Sequence, residues 1–155
     1  MSTHDQTAPR GRPAGPPAPA RPGAPAVRDV LVVAAGGALG TTLRLGVARV
    51  LPDAGPLPVA VVVTNLTGAF ALGWLLAVLA GRAGTPRARA ARLGLGTGVL
   101  GGYTTYSAFA VGTDGLLTGT APLAGLALSI ATVPAGVLAA RAGATLARSD
   151  RGGTP

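Results

Sequence analysis

Three long stretches of this sequence carry no charged residue, and they constrain its fold more than any other feature. The stretches cover residues 54–81, 93–113 and 115–140. A helix that crosses a bilayer needs about 20 mainly apolar residues, so each stretch is long enough to span a membrane. A further apolar stretch, residues 30–50, is interrupted by Arg44. We therefore predict an all-α membrane protein with four transmembrane helices.

The predicted spans define one transmembrane domain with a tail at each end. The domain covers residues 28–143, between tails over residues 1–27 and 144–155. The spans cover about residues 29–50, 57–80, 93–113 and 117–140. The first tail is rich in Pro, Ala and Arg and has no apolar run, so we expect it to be disordered.

Composition excludes several classes of protein. Charged residues make up 12% of the chain, about half of what a soluble domain carries, and the mean hydropathy is +0.49. Cysteine is absent and the one histidine, His4, lies in the polar tail, which leaves no thiol nucleophile and no His-based metal site in the spans. Aromatic residues are 3% of the chain, too few for a nucleic-acid surface. We therefore expect neither an enzyme nor a nucleic-acid-binding protein.

The arginines set the expected orientation. All 13 basic residues are Arg, and the net charge is +8. In a four-span topology one side of the membrane receives Arg10, Arg12, Arg21 and Arg28 before the first span, Arg82, Arg87, Arg89 and Arg92 between the second and third, and Arg141, Arg148 and Arg151 at the C-terminal end. The positive-inside rule places that side, and both termini, in the cytoplasm. We predict a multi-pass protein of the cytoplasmic membrane, surrounded by membrane lipid.

Glycine is used inside the spans as well as in loops. Gly36 and Gly40 form a GxxxG step in the first span, and Gly94, Gly98 and Gly102 form two overlapping steps in the third. Small-residue faces of this kind let helix backbones approach closely in lipid. The sequence leaves open whether these faces pack within one subunit or between subunits.

Two polar side chains lie inside the first two spans. Arg44 is costly in hydrocarbon unless it pairs or extends to an interface, and we expect it to reach toward the interface opposite the cytoplasm. Asn65 lies in the middle of the second span, where a buried amide needs partners. It either forms an interhelical hydrogen bond or donates one to a permeating anion.

The sequence GGYTTYSAF, residues 101–109, is the strongest signal in the third span. It contains both tyrosines and one of the two phenylalanines of the chain. Gly-Gly followed by Thr-Thr disfavours a continuous helix, and a broken helix in lipid is tolerated only against protein or water. We predict that the third helix is broken in the middle of the membrane, which frees backbone groups for ions.

The groups available in the spans are an amide, hydroxyls, aromatic rings and Arg44. No carboxylate pair is present there for acid–base catalysis, and the chain has no Lys for a phosphate-binding loop. Aromatic rings have a positive edge that attracts anions. Neutral donors and ring edges are suited to a small anion that must move on, because a full positive charge at the narrowest point binds it too tightly.

At these residues the sequence resembles the CrcB/Fluc family of small fluoride channels, over about residues 29–141. Three motifs carry the resemblance, in the same order and at similar spacing. GGALG at 36–40 with Arg44 is similar to the family's GGxxGxxxR, NLTGAF at 65–70 to its NxxGSF, and GGYTTYSAF at 101–109 to its GGxTTFSTF.

The resemblance implies a fold, an activity and a set of site residues. Family members are antiparallel dimers with two fluoride pathways and a structural sodium ion at the dimer centre. The resemblance assigns the sodium ion to the backbone carbonyls of Gly101 and Thr104. It assigns the fluoride pathway to Asn65, Tyr106, Ser107, Phe109 and Ser129. The implied function is passive, fluoride-specific export from the cytoplasm, which lowers fluoride toxicity.

This chain departs from the family pattern at several pathway positions. Tyr106 replaces a phenylalanine, and Val61, Gly112 and Gly125 replace frequent threonine, glutamate and tyrosine residues. The strong Arg asymmetry also favours a single orientation in the membrane. The resemblance therefore leaves two assemblies open: a homodimer, or a heterodimer with an oppositely oriented related subunit.

Two other functions stay open at this point. A small multidrug-type exporter is also four-spanned and dimeric, but it needs a carboxylate inside the membrane, whereas Asp29, Asp53 and Asp114 lie at span ends. A non-transporting membrane assembly subunit would tolerate changes at Asn65 and Phe109.

Overall fold

The computed structural model describes residues 26–54, 57–119 and 121–152. Its helices are α1 Val27–Val50, α2 Val59–Ala80, α3 Pro86–Ala91, a π-helix Arg92–Leu100, α4 Gly101–Tyr103, α5 Tyr106–Thr118 and α6 Pro122–Gly152. Across these ranges there is no strand, and one isolated bridge joins Ala54 and Leu57. The predicted all-α class is confirmed. Most of the predicted N-terminal tail lies outside the described residues.

Within the described ranges, three helices are long and apolar enough to cross a membrane: α1, α2 and the part of α6 from Pro122 to Ser149. Prolines lie at several of their ends, because proline is unfavourable in a helix interior and restricts the residue before it, although α6 continues through Pro134. Pro52 follows the end of α1, Pro58 caps α2, and Pro122 opens α6. The remaining predicted span, residues 93–113, is divided among shorter helices.

The surface of these helices is apolar. Large hydrophobic side chains that are mostly exposed include Leu31, Leu123, Ile130, Val133 and Leu138. The buried apolar residues in the described part are mainly small, and alanines outnumber the leucines Leu75 and Leu116. Apolar surface on this scale is a liability in water and is the normal outer surface of a helix bundle in lipid. The fold is that of a membrane protein.

The segment between α2 and α6 changes its helical form several times. Thr85 caps α3, since its Oγ1 accepts a hydrogen bond from the amide of Ala88 at 3.2 Å. After the π-helix and the single turn α4, Thr104 and Thr105 adopt extended backbone angles. Thr105 then caps α5, because its Oγ1 accepts from the amide of Ala108 at 3.2 Å. The segment therefore consists of a helical run that ends at Tyr103, two extended residues, and helix α5.

The glycine steps pack against each other inside this chain. An added Cβ at Gly36 would lie 2.5 Å from the carbonyl oxygen of Gly94 and 3.0 Å from the Cα of Gly98. An added Cβ at Gly102 would overlap the backbone of Gly37. The α1 face and the π-helix face therefore meet backbone to backbone. The sequence left open whether these glycine faces pack within one subunit or between subunits. In the structure they pack within the subunit.

A pair of glycine variants on α1 tests this contact. A Cβ at Gly40 would overlap the carbonyl oxygen of Val99 and lie 2.8 Å from the amide nitrogen of Tyr103, whereas a Cβ at Gly46 meets no atom within 4 Å. We expect Gly40→Ala to destabilise the protein by about 1–3 kcal/mol through overpacking. Gly46→Ala should be neutral or stabilising by about 0.5–1 kcal/mol, because Ala is the better helix former. Thermal unfolding in detergent measures both, and equal midpoints would contradict the packing.

Helix α6 packs against α2 and is longer than the sequence predicts. It begins at Pro122 and continues to Gly152, whereas we expected the fourth span over about residues 117–140 and a tail from residue 144. The start is late because Gly119 ends α5 and proline is favoured at a first helical position. The end is late because the Ala, Leu and Arg residues after Arg141 are good helix formers, although they are not all apolar.

Candidate functional site

The extended residues between α4 and α5 are held by one side chain of α2. The amide nitrogen of Thr105 donates to Oδ1 of Asn65 at 2.8 Å, and Nδ2 of Asn65 donates to the carbonyl oxygen of Thr105 at 3.0 Å. A helix interruption leaves backbone donors and acceptors without helical partners, and in lipid these must be satisfied by protein. Asn65 satisfies one donor and one acceptor at the same time.

Helix α1 holds the other side of the interruption. The carbonyl oxygen of Gly102 accepts from Nε of Arg44 at 3.3 Å and from Oγ1 of Thr41 at 3.4 Å. The backbone amide and the Oγ1 of Thr104 both donate to the carbonyl oxygen of Leu100. The Nε of Arg44 thus binds a carbonyl that the interruption frees from helical bonding, and the reach of Arg44 toward the far interface stays a prediction.

Asn65 can serve the backbone and a ligand together. An amide group has two N–H donors, and one of them is used by Thr105. Asn65 also lines an open groove of about 440 Å³, here called the central groove. Of the two roles that the sequence left open, the interhelical bond is observed, and the second N–H has no partner among the described residues.

The central groove brings together several residues that the sequence singled out. Five of them line it: Asn65, Gly101, Thr104, Tyr106 and Phe109. None of the groove's lining residues carries a charge. Ser107 and Ser129 do not line it: Ser107 Oγ lies 3.2 Å from Thr105 Oγ1, and Ser129 Oγ donates to the carbonyl of Gly125 at 2.8 Å. Those two residues remain predictions from the resemblance.

One face of the interruption is open in the single chain. Tyr106 is 82% exposed, and a Cβ added at Gly101 would meet no atom within 4 Å. Phe109, one turn further along α5, is half-buried. The neighbouring Tyr103 instead faces α2, where its hydroxyl lies 3.1 Å from Thr67 Oγ1. The central groove is therefore open beside Gly101 and Tyr106 in the single chain.

Sequence reasoning missed two hydroxyl residues. Thr132 lines the central groove, although its Oγ1 donates to the carbonyl of Leu128. Thr113 is 7% exposed, and its Oγ1 has no hydrogen-bond partner in the described part of the chain. The available signal was helical spacing: Thr132 follows Ser129 by three residues and Thr113 follows Phe109 by four, so each pair shares a helix face.

The Thr113 hydroxyl is exceptional among the hydroxyls of these helices. Thr64, Ser129 and Thr132 each donate to the carbonyl oxygen four residues earlier. That bond satisfies a hydroxyl inside an apolar helix bundle. Leaving a buried hydroxyl without a partner costs about 1–3 kcal/mol. Thr113 is consequently a free donor one turn beyond Phe109.

Comparison with known proteins places the chain in a family. Residues 31–144 match the family described as CrcB-like protein, Camphor Resistance (CrcB). The chain belongs to the CrcB family. The match includes α1, α2, the interrupted segment and most of α6, so the interruption and its contacts from Asn65 and Arg44 are part of the CrcB domain. The predicted family is confirmed.

Several curated CrcB relatives are similar over most of the chain. A protein of Leifsonia xyli subsp. xyli named fluoride-specific ion channel FluC 2 is 47% identical over 120 residues, 77% of this chain and 83% of the relative. The fluoride-specific ion channel FluC of Rhizobium meliloti is 41% identical over 125 residues, 79% of this chain and 98% of the relative. FluC 1 of Cutibacterium acnes is 43% identical over 118 residues, 73% of this chain and 82% of the relative.

Proposed function

We propose that this chain is a subunit of a fluoride-specific ion channel that lets fluoride leave the cytoplasm passively. The observation that carries the proposal is the helix interruption held by Asn65, beside an uncharged groove that Phe109 lines. The names of the CrcB relatives support the choice of fluoride over other anions.

The chemistry of the groove suits a small, strongly hydrated anion. Fluoride must lose water on entering a bilayer, and hydrogen-bond donors and positive ring edges replace part of that hydration. The second N–H of Asn65 and the edge of Phe109, two residues that line the central groove, are such groups. Neither is ionised, so each binds the anion weakly enough to release it.

The proposed topology has four spans, with the interrupted segment from Arg92 to Thr118 as the third. Its interruption then lies in the middle of the membrane, and both termini lie in the cytoplasm of a cell whose interior is negative. A membrane potential contributes about 2.3 kcal/mol per elementary charge per 100 mV. This driving force expels an anion through a passive pathway, and no energy-coupling site is required.

The proposed assembly is an antiparallel dimer. The open face at Gly101 and Tyr106 supports this arrangement, because a second subunit laid there would enclose the central groove. The strong Arg asymmetry favours a related subunit of opposite orientation as the second member. A homodimer stays the alternative, and the two assemblies are separated experimentally in the Discussion.

The residues assigned to the structural sodium ion fit it. Sodium binds oxygen ligands, including unwound backbone carbonyls in membrane proteins. The amide of Thr105, four residues after Gly101, donates to Asn65, so it does not engage the Gly101 carbonyl in a continuing helix. Gly101 also faces open space. A bound sodium ion would supply positive charge that offsets the repulsion between converging carbonyl dipoles, with Gly101 and Thr104 as its ligands in this chain.

Substitution of Phe109 tests the proposed function. We expect Phe109→Ile to lower fluoride efflux from liposomes up to about tenfold. Isoleucine is also bulky and apolar but lacks the positive ring edge, whose interaction is worth about 1.5 kcal/mol at most. The matched control is Val111→Ile on the same helix, since Val111 is exposed and does not line the central groove. Efflux is followed with a fluoride electrode, with a candidate partner subunit present.

The same assay separates the alternatives. Equal efflux from the parent and Phe109→Ile would remove Phe109 from the pathway. Absence of fluoride efflux from every folded preparation, with and without the partner subunit, would instead favour the non-transporting assembly subunit.

A further inference from the structure

A second cavity lies at one end of the helix bundle, away from the central groove. It has a volume of about 600 Å³ and lies between the start of α1, the loop after α2 and the start of α3. We call it the basic pocket. Its charged lining residues are Arg28, Asp29, Arg89 and Arg92. Because the long apolar helices α1 and α2 have ends here, membrane insertion places the basic pocket at the level of the lipid headgroups.

The basic pocket has more positive than negative charge. Its one carboxylate, Asp29, forms an ion pair with Arg89, with 2.5 Å between Nη2 and Oδ2. Arg28 and Arg92 form no ion pair with any described residue. Two guanidinium groups therefore face this cavity without a compensating anion from the described part of the chain.

Arg92 supplies a second, independent observation. Its Nε is buried and has no hydrogen-bond partner among the described residues. A buried charged donor without an acceptor is more costly than a neutral one, and unsatisfied groups of this kind are rare in native proteins. Arg92 lies at the first turn of the π-helix and lines the basic pocket, so a cation with an unsatisfied donor borders this cavity.

We propose that the basic pocket binds the phosphate group of an anionic phospholipid. Arginine forks match phosphate oxygens in charge and geometry, and basic pockets between transmembrane helices on the cytoplasmic side bind acidic headgroups. The phosphate accepts from the guanidinium of Arg92, which lines the pocket, and neutralises Arg28. Free inorganic phosphate shares this chemistry, and the experiment distinguishes the two sources. The proposal does not depend on fluoride conduction.

Lipid titration of the purified full-length chain in neutral detergent tests the proposal. Phosphatidylglycerol should raise the thermal unfolding midpoint in a saturable way, and phosphatidylcholine should not. We expect Arg92→Gln to weaken apparent phosphatidylglycerol binding at least about tenfold, the equivalent of one charge-assisted hydrogen bond. Arg28→Gln is the second variant, because Arg28 is exposed and its replacement leaves the packing intact.

Arg87→Gln is the matched control. It removes the same charge from the same segment, but Arg87 is exposed and does not line the basic pocket. Parent-like binding by this variant, with weaker binding by Arg28→Gln and Arg92→Gln, supports the proposal. Equal weakening by all three variants reflects general surface charge and overturns it, as does the absence of phosphatidylglycerol binding. Arg92-dependent binding of inorganic phosphate without phosphatidylglycerol binding overturns the lipid as the ligand.

Discussion

We expect Asn65→Leu to conduct fluoride at least about a hundredfold more slowly than the parent chain. Leucine has the same branched skeleton of side-chain heavy atoms as asparagine but leaves the amide and the carbonyl of Thr105 without their partners. Each unsatisfied buried group costs about 1–3 kcal/mol, and about 2.8 kcal/mol is a hundredfold change. The extended residues then relax toward other backbone conformations, and the donors of the central groove lose their alignment.

Fluoride efflux from liposomes measures this effect, after size-exclusion chromatography has shown that each variant is folded. Thr42→Val is the control, because the Thr42 hydroxyl is exposed and only donates to the carbonyl of Ala38 in its own helix at 2.9 Å. A folded Asn65→Leu protein with parent-like efflux would show that the interruption does not depend on Asn65.

Length and composition were sufficient for the helical class and for three helices that are long and apolar enough to cross a membrane. Uncharged length identifies α2 and α6, and α1 follows from an apolar stretch that only Arg44 interrupts, because a bilayer imposes the same length requirement on every spanning helix. The non-helical residues Thr104 and Thr105 also fall inside the motif at 101–109, where glycines and β-branched residues weaken the helix. These predictions rest on local properties, which a sequence carries directly.

The partners of the polar side chains could not be predicted in the same way. The hydrogen-bond partner of Arg44 depends on the register between α1 and α4, which brings the Gly102 carbonyl close to the Arg44 Nε. The reciprocal bonds of Asn65 depend on the depth of α2 relative to the interruption. The free hydroxyl of Thr113 depends on its rotamer. Register and rotamer are consequences of tertiary packing, and no local pattern encodes them.

The packing of the glycine steps could be predicted only in part from the sequence. Their spacing predicts a face that another backbone can approach closely, but the face is equally suited to a helix of the same chain or of another chain. The structure pairs the Gly36 step with Gly94 and Gly98. With that face used inside the subunit, an interface with a second subunit must use other surface, and the open side of the interruption at Gly101 and Tyr106 is available for it.

We expect this chain alone to give less than about a tenth of the fluoride efflux that it gives with an oppositely oriented related subunit. An antiparallel homodimer requires one sequence to insert in both orientations, and the positive-inside rule opposes this when loop charge is strongly biased. In the four-span topology the loop of residues 81–92 has four arginines, whereas the opposite side has Asp53, Asp114 and a single arginine near a span end, Arg49. Efflux from liposomes with and without the second subunit measures the difference.

The orientation itself can be measured without background, because the chain has no cysteine. Gly84→Cys places a single thiol in the loop after α2, where an added Cβ meets no atom within 4 Å. An impermeant thiol reagent should label this site from one side of the membrane only. Labelling from both sides, together with full efflux from the chain alone, would contradict the requirement for a second subunit.

A charge-balanced variant completes the argument, because it changes orientation without touching the pathway. Arg82→Gln and Arg87→Gln remove two arginines that line neither the central groove nor the basic pocket, and Asp53→Arg adds a positive charge on the opposite side. If loop charge alone prevents self-assembly, this variant should be labelled at Gly84→Cys from both sides and should conduct without the second subunit. Dual labelling without efflux would instead locate the obstacle in the pathway, at Tyr106 or at the missing polar groups of Val61, Gly112 and Gly125.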